Sequence, residues 1–548
     1  MKKQFKKTLS LVLALLLLFA LAGCGSKTNE PSANTSGNSG NNVSDTQNPS
    51  ADGPGTDNPG TGAAKTSGNA SPPMDTLRIA SATEPVTMDL QSVSLGGNRN
   101  CAMAIFDTLV YMSEDGRGLK PGVAESWDWV DEVTLKLNLR KDVTSSVGSK
   151  FTANDALFVL RRGAGTPGLS NKYSYLDAVN SYAEDDYTLI IKLPKPFSNF
   201  PYLLTQGCFI MYCEADFNRV GAEAFAHDPI GIGAYVLDEW VTGSHFNVTK
   251  RSDYWGVPGT FEHISWNFIS DANSRALALQ SGDVDLAEGL TVSIANTINS
   301  INGLEAWERT ALRSIMMFIN CENPIFSNKL VRQALSIGID KQALANVMTG
   351  GAKKASSGLF HHESPYWNGK EYVYDLSAAL DLLSDAGYAD GFSFKLTATN
   401  DQSYIDLAEA LQGELKKLNI TTEIEILDGG TFFPTITAGD FDIYLMHGSG
   451  FVPDDVLSFF DSANLNGGSN NCRYNNPEYD KLYYASQAEL DDAKRASLYK
   501  QIDDLLMVDC PIVMLYEQEG FFGSIKGLRI TENDSIGAVS YTRIAYNP

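Results

Sequence analysis

The sequence predicts an α/β fold in more than one domain, on three observations. Segments 375–386, 392–396, 405–418, 422–427 and 441–446 read helix, strand, helix, strand, strand, the alternation of a sheet with crossover connections. Upstream, 229–286 reads as a glycine turn, a strand hairpin, a third strand and a short helix. At 548 residues and 43% apolar content the chain can bury large cores, with length for two to three domains of roughly 100–200 residues each.

Taken in order, 77–82 is a strand and 83–89 a loop, and 102–111 reads as a helix with Ile105 and Leu109 on one face. Segments 119–129 and 133–140 form a strand pair, with Leu135, Leu137 and Leu139 alternating toward one side. Thr152 caps the next helix and Asp155 answers three residues later. A strand follows at 189–193. Cys208 and Cys213 read as members of one strand, facing opposite sides about 16 Å apart, too far to bridge each other.

Gly231 and Gly233 lead into strand 234–240, Thr242-Gly-Ser turns the chain, and 245–250 buries Phe246 and Val248. After strand 263–269, Asp271 or Asn273 caps a helix that Gly282 stops. Strand 315–320 precedes a helix through 326–340, capped by Ser327 and carrying Leu330, Ala334 and Ile337 on a stripe. Asp340 caps 341–348, and Gly350-Gly351 ends it. Helices at 476–482 and 495–508 and a strand at 511–516 close the body.

The ends obey different rules. Lys2, Lys3, Lys6 and Lys7 precede an apolar run at 9–20, too short and too early for a span in the mature protein. The run ends in Leu21-Ala-Gly-Cys24, which resembles a bacterial lipobox. That resemblance implies removal of 1–23, lipid on Cys24 and anchorage on the extracytoplasmic face of the cell membrane. Segment 24–74 is almost bare of apolar residues and is expected to be a flexible tether, about 35–42 Å in root-mean-square span. A net charge of −24 argues against nucleic acid and against lying flat on an anionic membrane.

Several phrases carry a family resemblance. Pro121-Gly-Val-Ala-Glu-Ser-Trp127 runs into an alternating strand ending Leu139-Arg-Lys-Asp-Val143, and Leu193-Pro-Lys-Pro196 is completed by Phe197 and Phe200. Phe326 to Asp340 contains Val331-Arg-Gln-Ala-Leu335, and Pro511-Ile-Val-Met-Leu-Tyr516 closes the body. Together with the turn, hairpin and "DYWG" order of 229–286, these resemble the family 5 extracellular solute-binding proteins, the peptide and nickel receptors of ABC importers. The resemblance implies a periplasmic-binding-protein-like type II fold, two α/β lobes with an inserted subdomain. Lobe I would comprise 75–118, 228–313 and 508–548, the insert 119–227, and lobe II 314–507. It also implies a monomer that hands solute to the permease transmembrane subunits. Ser145-Ser-Val-Gly-Ser149 departs from the family, whose members carry a His-Asp-Gly-like turn there.

The implied ligand is an oligopeptide or dipeptide, gripped between Gly97, Asn98, Arg99 and Asn100 on one lobe and His447, Gly448, Ser449, Gly450 and Phe451 on the other, with Tyr516 nearby. Peptide-binding relatives place an acid where this chain has Ser449. Within the same fold, His447 speaks for a nickel chelate, and Tyr366, Trp367 and Tyr516 speak for an oligosaccharide. A surface hydrolase or adhesin is the alternative of another class.

Catalytic material is sparse. The sequence contains no G-x-S-x-G, H-E-x-x-H or Walker A motif, and no cofactor is expected. His361-His362 reads as part of a polar connector rather than a metal pair, and no metal site is expected. Asp454-Asp455 and Asp503-Asp504 read as solvated acids, and Arg332 as half of a structural ion pair on a helix.

Overall fold

The computed structural model describes residues 74–92, 99–113, 118–166, 169–351, 353–362, 364, 366–449, 453–465, 468–530 and 541–546. The first part holds β1 (Thr76–Ser81), α1 (Arg99–Ile105), β2 (Asp107–Thr108), β3 (Val110–Met112) and β4 (Leu119–Pro121). Then come β5 (Ala124–Asp131), β6 (Thr134–Leu139), α2 (Ala153–Ala164), β7 (Tyr182–Asp185), β8 (Thr188–Lys192) and β9 (Ile210–Met211). The middle comprises β10 (Tyr235–Val241), β11 (His245–Lys250), β12 (His263–Phe268), α3 (Ala272–Ser281), β13 (Leu286–Leu290), α4 (Val292–Asn299) and β14 (Leu304–Ile319). Next are α5 (Lys329–Gly338), α6 (Lys341–Thr349), α7 (Leu376–Asp385), β15 (Ser393–Thr399), α8 (Gln402–Lys416), β16 (Thr421–Leu427) and α9 (Gly429–Ala438). The last are β17 (Ile443–Ser449), α10 (Pro477–Ala488), α11 (Asp492–Asp509) and β18 (Ile512–Ile525).

Ten strands hydrogen-bond into one sheet in the order β10-β11-β12-β1-β13-β18-β14-β17-β15-β16, and β5-β6-β8-β7 form a separate antiparallel sheet. The acidic composition is partly spent on helix starts. Asp271, Asp340, Asp375, Asp401, Asp428 and Asp491 each accept a first-turn N–H, at α3, α6, α7, α8, α9 and α11. Thr152 and Asp155 form the expected capping box. At α5 the cap is Asn328 rather than Ser327, its side chain accepting from Leu330.

The stretch 102–111 is not one helix. α1 stops at Ile105, and the following segments are extended, β2 pairing with β9 and β3 with β4. The reason is the glycine turn arriving from far along the chain. Gly233 donates its N–H to the Ile105 carbonyl at 2.7 Å, and a Cβ on Gly231 would stand 1.9 Å from that oxygen. Gly231→Ala is therefore expected to destabilise the fold by about 2–3 kcal/mol, as overpacking against backbone does. A lowered urea midpoint checks it. Likewise, 207–213 is not one strand: Gly207–Phe209 is a 3₁₀ turn leading into the two-residue β9. Cys101, Cys208, Cys213, Cys321, Cys472 and Cys510 are free thiols.

Strand 315–320 is the end of something longer. β14 spans sixteen residues and lies antiparallel to the fourteen-residue β18. At one end Leu304, Ala306, Phe521 and Ile525 pack with Leu279 and Val284. At the other, alternation splits the strand between two cores. Ile315, Met317 and Ile319 face Val331, Leu335 and Leu411, while Met316 and Phe318 face Phe432, Tyr479 and Tyr499. The pair thus runs from one set of cores into another. Between them the register breaks: Arg309 pairs with Gly520 and Arg313 with Gln518, so β14 spends four steps where β18 spends two.

Candidate functional site

β15 runs parallel to both β16 and β17, so the carboxyl ends of these three strands share one edge of the sheet, where ligands gather in α/β folds. His447 lies near that end of β17. Ile315 is opposite His447 on one side and opposite Tyr516 on the other, so the three side chains form a row on one face. Tyr404, in the first turn of α8, reaches the same row: its hydroxyl and His447 Nδ1 are 2.9 Å apart. Burial, helped by neighbouring Tyr404, raises the Tyr516 hydroxyl's pKa, so it stays protonated at neutral pH.

Gly448 faces the other side, where a Cβ would stand 2.4 Å from Met316 Cε. Its main chain pairs with Ser314, and that of Ser449 with Arg313, where β14 slips register. The fold therefore gathers His447, Gly448, Ser449 and Tyr516 at the strand crossing. Arg99 and Asn100 open α1, and the exposed Arg99 lays its stem over Gly207. Gly97, Asn98, Gly450, Phe451 and Cys24 fall outside the described residues. Tyr404 escaped sequence reading because α8 was expected to start at 405. The Asp401 cap was its only local signal.

A bulge at Leu515 puts Tyr516 on the row, and Glu517 turns to the opposite face, where His361 and His362 meet it. Other contacts span the crossing or reach across distant chain segments. Lys353 pairs with Glu308. Ser198 donates its N–H to the Gln487 carbonyl at 2.7 Å, and Asn199 Nδ2 donates to the Tyr499 hydroxyl at 2.5 Å. An imidazole held by a phenol, beside a second phenol and an apolar side chain, supplies donors, acceptors and contact area. That is equipment for holding a solute.

Two expectations about charged residues are corrected. Arg332 makes no ion pair among the described residues: it is buried and donates to the Asp509, Phe326 and Ser327 carbonyls. Asp503 is not solvated; its exposure is 0%.

The family model for bacterial extracellular solute-binding proteins, family 5 Middle, matches residues 118–471. The glutathione-binding protein GsiB of Escherichia coli (strain K12) is 25% identical over 422 residues, covering 72% of this chain and 80% of that one. Among solved structures, NikA from Brucella suis in complex with Fe(III)-EDTA superposes with a TM-score of 0.77 at 21% identity, over 86% of this chain and 100% of that one. DppA from Helicobacter pylori in complex with the peptide STSA gives 0.74 at 21%, over 86% and 98%. AppA from Bacillus subtilis with a nonapeptide gives 0.70 at 22%, over 87% and 100%.

Proposed function

Since the chain belongs to the bacterial extracellular solute-binding proteins of family 5 and has a periplasmic-binding-protein type II fold, we propose that it captures oligopeptides or dipeptides between two lobes and delivers them to the transmembrane subunits of an ABC importer. As a solute-binding protein it is not an enzyme, which sets the hydrolase alternative aside. Lobe I is assigned to 75–118, 228–313 and 508–548, the insert to 119–227 and lobe II to 314–507, with the start of β18, 512–516, packing in the cores of lobe II. The observation that carries the reading is the slipped register of β14 against β18 between Arg309 and Arg313. Two long strands joining separate cores, with their pairing slipped by two residues between Arg309 and Arg313 and bulged again beside Ile315, are built to bend there.

The peptide assignment draws on the proteins of similar sequence and fold. GsiB is named for glutathione, itself a small peptide, and DppA and AppA were solved with peptides. An extended peptide would pair with strand-end main chain near Ser449, a mode that accepts many side chains. His447 favours a second reading, a metal chelate, for which NikA with Fe(III)-EDTA is the corresponding likeness. Lipid on Cys24 and the tether 24–74 hold the protein, a monomer, on the extracytoplasmic face in this reading.

Native mass spectrometry of gently purified protein tests the ligand class. A ladder of peptide masses is expected; a metal-bearing mass or a hexose series overturns the peptide assignment. Tyr404→Phe removes the hydroxyl that meets His447. It is expected to weaken capture of the copurified solute about fivefold, the worth of roughly one hydrogen bond. Unchanged affinity by calorimetry places the solute elsewhere.

A further inference from the structure

The structure assigns a site for one divalent late first-row ion of the zinc type to His361, His362 and Glu517, on the sheet face opposite the Tyr404–His447–Tyr516 row. This site does not depend on the identity of the transported solute.

The ligand atoms of the three side chains all lie within 4.8 Å of one another. His361 Nε2 is 3.3 Å from Glu517 Oε2, and His362 Nδ1 is 2.8 and 2.7 Å from the two carboxylate oxygens. Two ligands held about 2.0–2.2 Å from a tetrahedral ion stand roughly 3.3–3.5 Å apart. The His361 edge is already at that spacing, and the His362 edge needs to open by about half an ångström.

Orientation is also provided. The main-chain N–H of His362 donates to Glu517 Oε1 at 3.1 Å and fixes the carboxylate plane from outside the ligand set. The connector is tied to β18 by Ser356 N–H to the Leu515 carbonyl at 3.1 Å. His361 and Glu517 are buried, whereas the His362 side chain is 39% exposed, giving an ion a way in from water.

The donor set selects the ion. Two imidazoles and one carboxylate suit zinc and its neighbours and leave a fourth position for water, whereas calcium and magnesium prefer oxygen. Binding displaces any proton the imidazoles share with the carboxylate and replaces hydrogen bonds with coordination. It cross-links the connector to a strand 155 residues away in sequence. The sequence reading of His361-His362 as a plain connector missed this because Glu517 is supplied only by the fold.

The test titrates EDTA-stripped protein with zinc alone against a chromophoric chelator. One equivalent is expected to bind, with a rise in melting temperature. His362→Ala, at an exposed position that leaves the core intact, and Glu517→Gln are each expected to weaken binding at least tenfold and to abolish the rise. His263→Ala, on β12, is expected to change neither. Absence of saturable binding overturns the assignment, as does zinc affinity that survives His362→Ala or is lost in His263→Ala. Because no solute is present, such a failure leaves the solute-binding reading standing.

Discussion

Replacing Arg332 with methionine is expected to lower stability by about 3–5 kcal/mol, with solute affinity in the folded protein unchanged. The guanidinium lies in the seam between α5, α11 and β18. It donates to the Asp509 carbonyl at 2.9 Å, the Phe326 carbonyl at 2.7 Å and the Ser327 carbonyl at 3.2 Å. Each is a chain-end or turn carbonyl with no helical partner of its own, and methionine leaves them facing a dry site. Burying an acceptor without a donor costs about 1–3 kcal/mol apiece. The urea midpoint of the transition that unfolds this part, followed beside solute calorimetry, separates the two roles. Intact stability with lost affinity would make Arg332 a ligand contact.

The other large effect is pH-dependent and resides in Asp503. Its Oδ1 accepts the Leu359 N–H at 2.8 Å, while Oδ2 has no hydrogen-bond partner among the described residues. Burial pushes this carboxyl up to about 7, with Asp504 adding to the rise and the Leu359 N–H opposing it. An unfolded aspartate titrates near 3.9. Between those values the folded chain holds a proton that the unfolded chain has released, so stability falls as pH rises from about 4 to 7 and then levels off. Asp503→Asn removes that slope. The variant is expected to match the parent near pH 4 and to exceed it above pH 7 by on the order of 4 kcal/mol at most. Denaturant midpoints at both pH values check this, and a difference independent of pH would contradict it.

What could be read from the sequence was local. Leu135, Leu137 and Leu139 alternate because β6 buries one face, and Phe246 and Val248 do the same in β11. Asp271 and Asp340 were legible as caps from their place before a helical stretch, whereas Asp401, Asp428 and Asp491 were not. The early half of β14 did not, since Leu304, Ala306 and Trp307 pack against partners more than two hundred residues away on β18. Asp503 and Asp504 look alike as neighbours, yet one helical step of about 100° buries the first and leaves the second beside Lys370. The candidate site divided in the same way. His447 and Tyr516 were named separately, and only strand pairing through Ile315 puts them in one row with Tyr404. Glu517, the third member of the histidine cluster, had no signal within reach of His361.

The proposed clamp bends where β14 slips against β18. Small-angle scattering of the solute-stripped protein, before and after adding back its own copurified solute, tests it most directly. A smaller radius of gyration is expected on addition, as the lobes close. Superimposable curves at saturating solute would contradict it.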